Sequence, residues 1–67
     1  MTPKEKAVEL VERFINLYEG VTLGLAKKHW AKQSALIAVD EMIEVAKSLT
    51  METQEWYEEV KEEIENL

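Results

Sequence analysis

The sequence predicts an all-α protein: a small bundle of three helices, in one domain over residues 1–67, that assembles into a homo-oligomer. Two glycines and one proline leave the chain nearly free of helix breakers, and apolar residues recur at steps of three and four. The small size predicts the assembly. Apolar burial contributes on the order of 100 kcal/mol, which is offset by an ordering cost of about 1.5 kcal/mol per residue. With no cysteine and one histidine, the chain has self-association or very regular helix packing as the remaining source of stability.

The first helix is predicted over residues 3–19. Thr2, Pro3 and Glu5 form a capping signature, in which the threonine oxygen accepts an amide proton and the glutamate reaches back. Gly20 is expected to end this helix, and residues 21–24 are expected to form a loop. One half of the helical cylinder is apolar and carries Val8, Leu10, Val11, Phe14, Ile15, Leu17 and Tyr18.

The second helix is predicted over residues 25–49, and its middle, residues 35–39, is apolar through five consecutive positions. Ile37 points away from the main stripe, and Trp30 lies on the same side one heptad earlier. Two interpretations follow. Either this helix is central and Trp30 covers its own neighbours, or Trp30 and Ile37 belong to an oligomer or partner surface. The main stripe comprises Ala31, Ala35, Ala38, Val39, Met42, Ala46 and Leu49.

The third helix is predicted over residues 52–66, with Thr50 or Thr53 as its N-cap. Its apolar stripe is narrow and resembles a coiled-coil seam, with Tyr57 at the edge and Trp56, Val60, Ile64 and Leu67 along it. The three helices are expected to run antiparallel in sequence order. The predicted core comprises Val11, Phe14, Ala35, Val39, Met42, Trp56, Val60 and Ile64.

The net charge of −6 arises entirely from residues 51–67, which contain seven glutamates and one lysine, while the first fifty residues balance seven acids against seven bases. Evenly spaced glutamates can imitate a phosphate backbone and bind a basic protein, or they can simply keep a surface helix in water. The candidate acidic residues are Glu55, Glu58, Glu62 and Glu65. A basic protein is therefore one predicted partner, beside a second copy of the chain.

No motif of an enzyme is present, and we expect no catalytic residue, cofactor or metal. The remaining enzymatic alternative is a metal held by Asp40, Glu41 and Glu44, but Asp40 and Glu44 lie opposite the main stripe, as solvated side chains do. His29 has lysines around it and no acidic neighbour to tune it as a base.

The segment 27–32 mixes three lysines with a histidine and a tryptophan, which is a pattern that can contact nucleic acid. Because the chain as a whole is acidic, we instead expect Lys27, Lys28 and Lys32 to pair with glutamates of the third helix or of a neighbouring subunit. No apolar run approaches the ~18 residues that cross a bilayer, and the first residues lack the apolar core of a signal peptide. The sequence therefore predicts a cytoplasmic protein without membrane contact.

Three stretches carry a resemblance to a known group: 2–7, TPKEKA; 31–43, AKQSALIAVDEMI; and 59–67, EVKEEIENL. They resemble short uncharacterised proteins encoded by bacteriophages and mobile elements of Bacteroidetes-type bacteria. The group often has cysteine at Ser34 and a Tyr-Trp order where this chain reads Trp56-Tyr57. The resemblance implies a small phage-related accessory protein in the host cytoplasm, with no catalytic residue.

The combined expectation is a non-enzymatic protein that acts as a protein–protein interaction or self-assembling module. The alternative is an acidic inhibitor of a host nucleic-acid-binding or defence protein, in the manner of anti-CRISPR proteins. In both cases the candidate interaction residues are the two apolar side chains of the second helix and the four glutamates of the third.

Overall fold

The computed structural model describes residues 1–17 and 27–67, apart from the side chain of Lys27. It contains α1 (Pro3–Leu17), α2 (Lys27–Ala46) and α3 (Met51–Glu65), and each helix packs against the other two. The described part holds no strand, so the all-α, three-helix prediction is confirmed. The predicted helix ends at Glu19 and Leu25, the Gly20 cap and the loop 21–24 lie outside the described residues.

The start of α1 is the capping box that the sequence predicts. The Glu5 amide donates to the Thr2 hydroxyl oxygen at 3.1 Å, and the Thr2 amide donates to Glu5 Oε1 at 3.0 Å. The hydrogen bond that the Thr2 amide donates to the Glu5 carboxylate, and then the Thr2 side chain, hold the pKa of Glu5 below its ordinary value of 4.5. The first helix is therefore anchored by a charged group at its N-terminus, where the helix dipole also favours negative charge.

The second helix ends three residues earlier than predicted, at Ala46 instead of Leu49. The amides of Ser48 and Leu49 bond to carbonyls three residues back, at 3.1 and 2.9 Å, which tightens the chain into a turn. The Ser48 hydroxyl also donates to the Val45 carbonyl at 2.7 Å. Because serine satisfies a carbonyl at the helix end, the α-helical pattern stops there and Leu49 is left exposed.

Of the two N-caps that the sequence allows for α3, the structure uses Thr50. Its backbone is extended, with φ −132° and ψ 154°, and its hydroxyl oxygen accepts the Thr53 amide at 3.1 Å. The two threonine hydroxyls also share a 2.8 Å hydrogen bond. The helix begins and ends one residue earlier than predicted, at Met51 and Glu65.

The core is built from small and branched side chains. Its largest fully buried members are Val39, Val60 and Ile64. The remaining buried residues are Ala7, Leu10, Val11, Ala31, Ala35 and Ala46. Four of these are alanines, which let the helices approach closely and leave little room for rings between them.

Three residues of the predicted core, Phe14, Met42 and Trp56, are only partly buried. Phe14 and Trp56 pack against the buried cluster from its edge, and the Trp56 ring meets the Tyr57 ring edge-on at 5.1 Å. The prediction was wrong for them because the alanine-lined centre is too narrow for large side chains. The bundle measures 40 × 18 × 16 Å. Among its described helices, none is both long and apolar enough to cross a bilayer.

Candidate interaction surfaces

The outer side of α2 exposes two large apolar side chains. Trp30 is 51% exposed and Ile37 is 66% exposed. Since they are one heptad apart, they lie within about 20° of each other around the helix. The Trp30 ring contacts the ring of His29 edge-on, with centroids 5.6 Å apart. Trp30 therefore does contact its own neighbour, as one interpretation of the sequence expected, yet half of it still faces solvent.

A groove of about 300 Å³ lies where α2 ends and α3 begins, and its walls are almost entirely apolar. Val45 and Leu49, 63% and 65% exposed, form part of its rim. Ala46, whose side chain is small, lies between these two larger residues in the sequence and is completely buried. The groove is lined by Glu41, Met42, Val45, Ala46, Leu49, Thr53 and Tyr57.

The sequence does not predict this groove. Val45 is its one visible signal, because it is apolar while it lies off the main stripe and between the charged Glu44 and Lys47. Leu49 was assigned to the stripe because α2 was expected to continue through it. We refer below to Trp30, Ile37, Val45 and Leu49 together as the apolar patch.

The four candidate glutamates of α3, Glu55, Glu58, Glu62 and Glu65, are all exposed, as predicted. Helical geometry places them within about 80° of one another, and we refer to them as the acidic face. Among the described residues none of the four carboxylates is in an ion pair; Glu58 accepts a hydrogen bond from Gln54 at 3.2 Å.

The single base of α3, Lys61, forms its ion pair with α2 and not with the acidic face. Its Nζ lies 2.9 Å from Asp40 Oδ1 on α2. The hydrogen bond to Asp40, followed by the attraction of the same carboxylate, raises the pKa of Lys61 above its ordinary value of 10.5. The ammonium group of Lys61 is therefore hydrogen-bonded to the neighbouring helix, while Glu65 and Glu58 of the acidic face attract its charge more weakly.

Two of the three carboxylates that the sequence offers as metal ligands bind lysines. Asp40 pairs with Lys61, and Glu44 pairs with Lys47 one turn on at 3.0 Å. Glu41 lies at the rim of the groove. Within the described ranges, no three or more residues with metal-binding side chains come together.

The lysines at the start of α2 are predicted to pair with glutamates of α3 or of a neighbouring subunit, and within the chain Lys32 makes a different contact. Lys32 does reach α3, but its Nζ donates to the backbone carbonyl of Glu65 at 3.4 Å and not to a carboxylate. A cation at this position suits the negative C-terminal end of the α3 dipole. Lys28 and His29 are exposed, and the side chain of Lys27 lies outside the described part.

Fold and surface together define a small three-helix protein with an apolar patch along α2 and the turn that follows it, and an acidic face on α3. Comparison with protein-family models, with curated proteins and with solved structures finds no match for this chain. The resemblance to phage-encoded proteins remains a prediction.

Proposed function

We propose that the protein is a non-enzymatic interaction module that assembles with itself through the apolar patch. The observation that carries this proposal is the exposure of Trp30 and Ile37, each more than half in solvent, on one side of α2. Large apolar side chains gathered on a charged surface are typical of protein–protein contact sites, and aromatic residues are enriched there.

The composition of the core supports the same proposal. Four of its nine buried members are alanines, and no aromatic side chain is buried in the described part of the chain. Such a core gains little from burial, while the larger apolar side chains lie at the edge or outside. Covering them with another subunit adds the burial that a domain of this size lacks.

The experiment compares two substitutions that add the same charge. Ile37→Glu places a carboxylate in the apolar patch, whereas Asn16→Glu places one on the exposed side of α1. We expect light scattering after size exclusion to give a smaller particle for Ile37→Glu and an unchanged one for Asn16→Glu, with circular dichroism confirming helical content in both. An oligomer that is the same size in both variants would show that Ile37 is outside the interface.

A second candidate function is inhibition of a host nucleic-acid-binding or defence protein by the acidic face. The observation that favours it is the Asp40–Lys61 ion pair, because Lys61 bonds to α2 and none of the four glutamates is in an ion pair within the described residues. Their carboxylates can then occupy a basic groove that normally holds a phosphate backbone. The predicted phage origin would fit such a role.

The test is competition with single-stranded DNA for a basic nucleic-acid-binding protein at several salt concentrations. Inhibition should weaken as salt rises, and changing all four residues of the acidic face to glutamine should abolish it. A matched control removes the same charge elsewhere, by changing Glu12, Glu41, Glu44 and Glu52 to glutamine. Equal loss in both variants would mean that net charge acts, and the acidic face would not be the site.

A further inference from the structure

We propose that two copies pair through antiparallel α2 helices, with Trp30 of each copy seated in the groove of the other. This inference rests on the proposed self-assembly and specifies its geometry. In a two-fold symmetric dimer every contact occurs twice. If residue i of one copy contacts residue j of the other, then residue j of the first copy contacts residue i of the second. A ring that projects near the start of α2 and a groove at the end of α2 can satisfy this condition together.

The positions along α2 fit such a pair. Trp30 and Val45 are fifteen residues apart, or about 22 Å along the helix, and lie within about 60° of each other around it. The midpoint between them falls between Ile37 and Ala38, and Ile37 is exposed on the same side. A two-fold axis passing beside Ile37 therefore places each Trp30 at the level of the partner's Val45. A parallel pair would place Trp30 against Trp30 and leave both grooves uncovered.

The groove has the size and chemistry for an indole ring. Its volume of about 300 Å³ is roughly twice the ~150 Å³ that holds a benzene ring in an apolar protein cavity. Its walls are apolar, while the Glu41 carboxylate at the rim offers an acceptor for the indole N–H, which needs a partner when buried. On binding, the Trp30 ring would leave a position half exposed to water and enter a nearly apolar groove, where its N–H has one polar contact.

The charges of α2 also favour the antiparallel arrangement. Its first six residues contain Lys27, Lys28 and Lys32, while residues 40–47 contain three acids and one lysine. Antiparallel pairing brings the basic end of each helix alongside the acidic end of the other, and their dipoles oppose. Parallel pairing would bring like charges together.

The exposed apolar area is sufficient for a dimer. The four side chains of the apolar patch are each about half to two-thirds exposed, so they offer on the order of 500 Å² of apolar surface. Apolar atoms make up about 65% of a homodimer interface. The patch therefore corresponds to about 800 Å² per subunit, which is the usual size of a stable interface.

Cysteine scanning tests the geometry, because the chain has no cysteine of its own. With a thiol cross-linker spanning about 10 Å, close to the separation of packed helices, Ile37→Cys should cross-link to itself. Trp30→Cys alone and Val45→Cys alone should not, because each lies about 22 Å from its own copy along the axis. A mixture of the two should cross-link, since the Val45→Cys chain keeps its own Trp30 to hold the pair.

The outcomes separate this inference from the proposed function. Self-cross-linking of Trp30→Cys, or no cross-linking in the mixture while the wild type is a dimer, would overturn the antiparallel geometry alone. A wild type that stays monomeric would overturn both. In addition, Trp30→Ala should raise the dimer dissociation constant about 30-fold or more, as loss of an aromatic anchor does. Leu17 is exposed on α1, and Leu17→Ala should change the dimer dissociation constant less than about twofold. If Leu17→Ala and Trp30→Ala had equal effects, Trp30 would not bind in the partner's groove.

Discussion

Lys61 Nζ lies 2.9 Å from Asp40 Oδ1, so the one base of α3 is bonded to α2. This ion pair joins two helices that are already connected by a short turn, and it helps fix how α3 lies against α2. The four glutamates of the acidic face are themselves in no ion pair within the described residues.

The Asp40–Lys61 pair predicts a pH-dependent contribution to stability on the alkaline side. The pKa of Lys61 is raised in the folded state, so the contribution is complete below the ordinary value of 10.5 and is lost as the pH rises through the raised value. Urea unfolding should show Asp40→Asn less stable than the wild type at pH 8 and equal to it once Lys61 is deprotonated. Glu12→Gln removes the same charge from α1 and should show no such convergence. A gap for Asp40→Asn that persists at high pH would contradict the prediction.

The capping box predicts the opposite behaviour in acid. The pKa of Glu5 is lowered by its bonds with Thr2, so its contribution is present above the ordinary value of 4.5 and is lost as the pH falls through the lowered value. Replacing Glu5 with glutamine keeps a side chain that can reach back to Thr2 but removes its titration. The free energy of unfolding should therefore fall less steeply below pH 4.5 in Glu5→Gln than in the wild type. Identical acid profiles would refute this role of Glu5.

Thr50 predicts a measurable loss of stability when its hydroxyl is removed. Thr50→Ala leaves the Thr53 amide without an acceptor at the start of α3 and should cost about 1 kcal/mol. In a domain of this size that corresponds to a fall in Tm of about 4–8 °C. Thr50→Ser keeps the hydroxyl and should remain close to the wild type. If alanine and serine gave the same Tm, Thr50 would not be an effective cap.

Ile64 and Ile37 form a matched pair that separates the core from the apolar patch. Ile64 is fully buried, and Ile64→Ala should cost about 2–5 kcal/mol, enough to unfold a large fraction of so small a domain. Ile37→Ala removes the same atoms from an exposed position and should change the free energy of unfolding by less than about 0.5 kcal/mol at a concentration where the chain is dissociated. Chemical denaturation at high dilution provides the measurement. A large loss for Ile37→Ala under these conditions would show that Ile37 has an intramolecular packing role.

The elements of the fold were predictable because they depend on local chemistry. The Thr2 and Glu5 box, the Thr50 cap and the buried stripe through Ala35 and Val39 follow from spacing alone. The end of α2 does not follow from spacing, because the Ser48 hydroxyl bonds to a carbonyl of the preceding turn and competes with the α-helical hydrogen bonds.

The candidate surfaces were predictable only in part. Spacing placed Trp30 and Ile37 outward and the four glutamates in solvent, as the structure has them. The groove depends on where Tyr57 of one helix meets Val45 and Leu49 of another, which is a long-range relationship. The partner of Lys61 was missed for the same reason, because Asp40 is twenty-one residues away in the chain.

The most direct test of self-assembly is the solution mass of the wild type over a dilution series, measured by light scattering coupled to size exclusion. The account predicts about twice the 7.8 kDa of one chain at high concentration, falling toward the single-chain mass on dilution. A mass of one chain at every concentration would contradict it.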